Sequence, residues 1–142
     1  MFTTPCFIRK NTPELREKLE KLGYSPTQNG YGEWFIPMDE LPYLETFPRS
    51  KSYMGRVAYW STSVIDCGTN EELFLALAAL RDDTDKYQQF VCIESYCDCF
   101  DLFHDIGHFA KCITDRMPDS KYWRKATAEE IVEHFTMEGG AE

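Results

Sequence analysis

TNEELFLALAAL, residues 69–80, is the stretch on which the fold turns. From Leu73 to Leu80 it is apolar all round, and such a helix is buried on more than one side. Thr69 with Glu72 fits the T-x-x-E capping box, in which two helix-terminal N–H groups are satisfied reciprocally. Val57–Asp66 lies before it and Tyr87–Glu94 after it, and both runs carry the β-branched and aromatic residues of strands.

The same grammar occurs upstream. Cys6–Lys10 reads as a strand, and Thr12-Pro13 follows as N-cap and first helical residue. An alternative box, Asn11 with Glu14, moves that start by one residue. Leu15, Leu19 and Leu22 recur at i, i+4 and i+7 on one helical face, and Gly23 stands where a left-handed cap is wanted. NGYGE then turns the chain into a strand at Trp34–Met38. Glu14 and Glu72 are 58 residues apart, and a third box, Thr127 with Glu130, lies 58 further on. Two strand–helix–strand units in tandem predict an α+β fold: a ferredoxin-like βαββαβ sheet with helices on one face, plus a C-terminal helix. Residues 39–56, interrupted by Pro42 and Pro48, read as a packed loop or short helix. The outer side of the apolar helix needs a cover. The candidates are the C-terminal helix (Ile131, Val132, Phe135), the 101–114 segment, or a second subunit in a homo-oligomer.

A chain of 142 residues suits one domain, 1–142, and 43% hydrophobic residues are too many for a disordered chain. Its net charge of −9 repels nucleic acid and anionic membrane, so neither is expected as a direct partner. A basic protein partner suits that charge, and a 15% aromatic content suits an interface. MFTTPCFIRK has no basic segment followed by an apolar run, so no signal peptide is expected. No window approaches the length of a membrane helix. The expected location is cytoplasmic, where six cysteines act as thiols, ligands or small core residues.

CDCFDLFHDIGHFAKC, residues 97–112, concentrates three cysteines and two histidines. Placed on a helix over 101–115, Leu102, Phe103, Ile106, Phe109, Ala110 and Ile113 share one face, docked on the body. His104, His108 and Cys112 stack on the opposite, solvated face. Zinc takes four ligands of these types, and Cys97, Cys99, His104, His108 and Cys112 are the candidate metal set. The spacing argues against it: no C-x-x-C pair is present, and Gly107 weakens the helix. The expectation is a polar face without a cofactor.

KYWRK, 121–125, is a basic–aromatic spot. His104, His108, Tyr122, Trp123 and Arg124 are therefore the candidate partner-binding residues. The aspartates of RDDTDK, 81–86, lack the glycine and register of an EF-hand loop. No phosphate loop, nucleophile elbow or H-E-x-x-H occurs, and no catalytic residue is assigned.

At IRKNTPELREKLEKLGY, IDCGTNEELFLALAALRDDTDKYQQFV and YWRKATAEEIVEHF the chain resembles small accessory proteins of gut Bacteroidales bacteria, their prophages and their phages. No activity is established for that group. The resemblance implies a mobile-element setting, and in it a non-enzymatic inhibitor or sequestering factor. Its partner would be a bacterial host or defence protein, or a small-molecule signal. Rival readings are a Cys/His metal module or metal-dependent enzyme, and a phage structural subunit.

Overall fold

The computed structural model describes residues 2–26, 34–35, 42–47, 64–97, 102–118 and 120–139. The order is β1 (Cys6–Ile8), α1 (Pro13–Leu22), β2 (Ser25–Pro26), β3 (Trp34–Phe35), β4 (Leu44–Phe47), β5 (Ile65–Asp66) and α2 (Glu71–Ala78). There follow β6 (Gln89–Cys92), β7 (Tyr96–Cys97), β8 (Phe103–His104), β9 (Phe109–Lys111), β10 (Trp123–Lys125) and α3 (Ala128–Gly139). Among the described residues this is a mixed α+β fold with three α-helices, the last of them C-terminal, and several small sheets.

The described strands do not form one βαββαβ sheet. Five of them run in the order β2-β3-β4-β1-β5, with β1 antiparallel to β4 and parallel to β5. Strand β6, expected to close the second unit in that sheet, instead centres a separate sheet ordered β10-β6-β9, antiparallel on both sides. The two units thus share a core and, through β5, the first sheet, which β6 leaves. A third pair, β7-β8, is a short antiparallel ladder. The rest of the expected strands at 34–38 and 57–66, and most of the 39–56 segment, fall outside the described residues.

The helix ends follow side-chain chemistry. Thr12 caps α1 by accepting from the Leu15 N–H at 3.1 Å. Gly23, at φ 117°, ends it in the left-handed conformation. Thr127 and Glu130 form the reciprocal box at α3: Thr127 Oγ1 accepts from the Glu130 N–H at 3.1 Å, and Glu130 Oε1 from the Thr127 N–H at 2.9 Å. The α2 cap is a correction. Asn70, not Thr69, accepts from the Leu73 N–H at 3.1 Å. Cys67, Gly68 and Thr69 belong to the turn before it, closed by the Asn70 N–H on the Cys67 carbonyl.

The main core joins Cys6, Ile8, Phe35 and Leu44 of the first sheet to Leu15 and Leu19 of α1, Leu73, Phe74 and Leu77 of α2, Val91 of β6 and Ile131 of α3. Leu15, Leu19, Leu73, Leu77 and Leu80 are buried, while Leu22 and Leu75 are only partly so. Helix α2 packs on β1, α1 and α3, so its cover is intramolecular and comes largely from the C-terminal helix. Strand alternation splits β6 between two clusters: Val91 joins the main core, while Phe90 and Cys92 pack with Cys112 and Trp123. The N-terminus ties the units together. Phe2 stacks on Tyr24 at 4.1 Å, the Thr3 N–H reaches the Leu80 carbonyl at 3.0 Å, and Tyr24 donates to the Ala78 carbonyl at 2.9 Å. Among the described residues no helix is long and apolar enough to cross a membrane.

Candidate functional site

The expected helix over 101–115 is not there. Strand β8, a turn and strand β9 take its place. Apolar residues at 102, 103, 106, 109, 110 and 113 match a helical face by spacing, but two short strands around a turn produce the same spacing. The decisive signal was DIGH, 105–108. The His108 N–H donates to the Asp105 carbonyl at 3.1 Å, which leaves Gly107 third in a four-residue turn at φ 92°. Only glycine takes that position readily. The Asp105 carboxylate accepts from the Ser95 hydroxyl at 2.8 Å and from the Ile106 N–H at 2.9 Å. Those two bonds, in that order, hold it below the usual carboxylate range.

The expected docking face is therefore inverted. Leu102 and Phe103 are each 60% exposed, Ile106 66% and Ile113 76%. The β7–β8 ladder that carries Phe103, part of this apolar crest, also carries an aromatic cluster. Tyr96 and His104 face each other across the β7–β8 ladder and stack at 4.9 Å. Tyr122 stacks on Tyr96 at 4.2 Å, and Trp123 meets His104 edge-on at 5.5 Å while donating its indole N–H to the Tyr96 hydroxyl at 2.7 Å. Ring pairs of this kind add about 0.5–1.5 kcal/mol each beyond burial.

Of the expected partner-binding residues, His104, Tyr122 and Trp123 thus converge on one cluster, but as its support. Trp123 is buried. His108 sits exposed on the turn, its Nδ1 accepting from the Asp105 N–H at 3.4 Å. Arg124 turns away and grips Glu130 through two bonds of 2.6 and 2.5 Å. Tyr96, central to the cluster, carried no sequence signal beyond being aromatic.

Among the described residues the candidate metal set does not come together. Cys97 is exposed at the ladder's end, and Cys112 is buried with its thiol donating to the Thr114 carbonyl at 3.1 Å. Cys99 lies outside the described residues. Among the described residues no three His, Cys, Asp or Glu side chains are grouped to hold an ion. Among the described residues five cysteines are free thiols, four of them buried. Cys6 and Cys67 are neighbours; the hydrogen bond between them, then burial, pushes the Cys67 thiol up.

One residue of note escaped sequence reasoning altogether. Glu45, cross-strand from Phe7, is fully buried, and neither carboxyl oxygen has a hydrogen-bond partner. Burial pushes its pKa up to about 7. Its neighbours Leu44 and Thr46 turn to the other face, where Thr46 Oγ1 accepts from the Cys6 N–H at 3.1 Å.

The chain matches no known family model, no curated protein and no solved structure.

Proposed function

We propose that this is a non-enzymatic binding protein whose crest, Leu102, Phe103 and Ile106, inserts into an apolar groove of a bacterial host or defence protein, which it inhibits or sequesters. One observation carries the reading: large apolar side chains at 60–66% exposure stand on and just beyond the β7–β8 ladder, beside a cluster of four rings, three stacked and Trp123 edge-on. Monomeric proteins seldom leave contiguous apolar residues uncovered without a use. A rigid anchor loses little entropy on binding. Exposed, acidic Asp105 stands between Phe103 and Ile106 along the chain, which suits a groove with a basic rim. The resemblance to mobile-element accessory proteins suits such a target.

Site-specific photo-crosslinking tests this. A photoreactive residue at position 106, in bacteria expressing the protein, should give one dominant heterologous adduct. The adduct should vanish with Phe103→Asp and weaken as salt rises. Adducts spread over abundant unrelated proteins, or an adduct indifferent to Phe103→Asp, would remove the crest from the binding site. Adducts of the chain with itself would redirect the reading to a homo-oligomer.

A further inference from the structure

A cleft of about 490 Å³ opens between α1, α2, α3 and the β6 and β9 strands. Its floor is apolar and is laid by Leu75, Ala76 and Ala79 of α2 together with Leu22 and Phe135. The space exists because α2 presents alanine at 76 and 79. Leucine at either position would fill it. This floor runs along one stripe of the helix, at i, i+3, i+4 and i+7 from Glu72, where Ala76 and Ala79 are buried and Leu75 is half-buried.

The rim is cationic. Lys18 and Lys21 stand over it from α1 and Lys111 from the end of β9, against the single carboxylate of Glu72. Three ammonium groups around one apolar floor are out of character for a chain of net charge −9. Among the described residues Lys18 and Lys111 are in no ion pair, and Lys21 has only an exposed partner, Glu17, at 3.8 Å. Tyr87 forms part of the wall with a left-handed backbone, φ 69°, which bulky residues rarely adopt. Its N–H is tied to the Cys112 carbonyl at 2.7 Å, and the next residue's N–H to the Asp85 carbonyl at 3.1 Å. Strain maintained in this way places a phenol ring at a cleft wall, where backbone strain tends to serve binding.

We infer that this cleft binds a small organic anion: an apolar or aromatic body on the α2 floor and beside Tyr87, with a phosphate or carboxylate held among Lys18, Lys21 and Lys111. The volume lies within the range of ligand pockets, and a few convergent polar groups over an apolar lining are their usual anatomy. Nothing in this depends on the crest, which lies on other residues. Two sources share the chemistry, a nucleoside phosphate and an acyl carboxylate, and the test separates them.

Titration calorimetry with adenosine 5′-monophosphate, dodecanoate and 2-naphthyl phosphate, with neutral 2-naphthol as the control, reads the proposal directly. At least one anion should bind saturably, and about tenfold more tightly than naphthol, since two or three charge contacts supply at least that factor. Binding should fall with salt. The better of adenosine monophosphate and dodecanoate identifies the source. The double variant Lys18→Gln/Lys111→Gln, at exposed rim positions, should lose about tenfold in affinity with an unchanged circular dichroism spectrum, and Phe103→Asp should lose none. Ala79→Leu should abolish binding; because overpacking could unfold it, the lysine variant carries the decision. Anions that bind no better than naphthol, or full affinity in the lysine variant, would overturn the inference.

Discussion

Glu45 keeps a carboxyl in the interior with no hydrogen bond to either oxygen, and the cost depends on pH. Below the ordinary carboxyl value of 4.5 both the folded and the unfolded chain hold the proton, and there is no ionisation penalty. Between 4.5 and about 7 the unfolded chain ionises while the folded one stays neutral, so stability falls as pH rises. Above about 7 the whole penalty is present, up to about 3 kcal/mol. Glu45→Gln removes the charge but not the shape. Urea melts should show the variant gaining on the parent as pH goes from 4.5 to 8, with little difference at the acid end. Parallel pH profiles for the two proteins would mean that the carboxyl ionises without penalty. No pattern in the sequence marks this residue, because alternation along LETF shows only that Glu45 and its neighbours face opposite sides, not that both sides are buried.

Elements here begin and end where individual side chains dictate, and substitution can tell rival caps apart. Asn70→Ala should cost about 1 kcal/mol, since the amide caps α2 and its Nδ2 also donates to the Phe135 carbonyl at 3.4 Å. Thr69→Ala should stay within about 0.5 kcal/mol, although Thr69 is the residue the capping-box pattern favours. Equal losses at the two positions would restore Thr69 as the cap. At α3, Thr127→Ala should cost about 1 kcal/mol as well. Its partner Glu130 is held down at about 2 by the Arg124 guanidinium first and the Thr127 N–H second. Gly107→Ala has open space around its added methyl, so its cost is backbone strain alone, about 1–2 kcal/mol. A helix at 101–115 would instead be strengthened by that alanine, so the sign of the change in melting temperature separates the two structures.

At the scale of the molecule, the crest is separate from what holds the fold together. Phe103→Asp with Ile106→Asp should move stability by no more than about 0.5 kcal/mol, whereas Leu77→Ala, at the meeting of α2 with its neighbours, should cost about 2–5 kcal/mol. Denaturant melts of both variants check this, and a crest variant that unfolds would mean the hairpin is structural. Because α1, β1 and α3 cover α2, that helix needs no second subunit. Light scattering at micromolar concentration should give the 16.6 kDa monomer. A larger mass that reverts in the crest variant would assign the hairpin to self-association.

Local chemistry by itself determined the three helices and two of their N-caps, because periodicity and capping act within a few residues. The leucines of α1 and α2 were legible as core for the same reason, and all but Leu22 and Leu75 are buried. The tertiary structure alone decided which sheet β6 joins, since strand pairing is set by partners distant in sequence and a run such as QFVC is compatible with several. It also decided the character of residues 102–113. Their apolar spacing suits a helix or two short strands around a turn equally, and a glycine at positive φ resolved the choice toward a turn. With the helix gone, the histidines moved from a presumed solvent face into and beside an aromatic stack, and the apolar residues moved from a presumed core to the surface. The cleft was equally hidden: Lys18, Lys111 and Ala79 are brought together only when α1, α2 and β9 pack around one space.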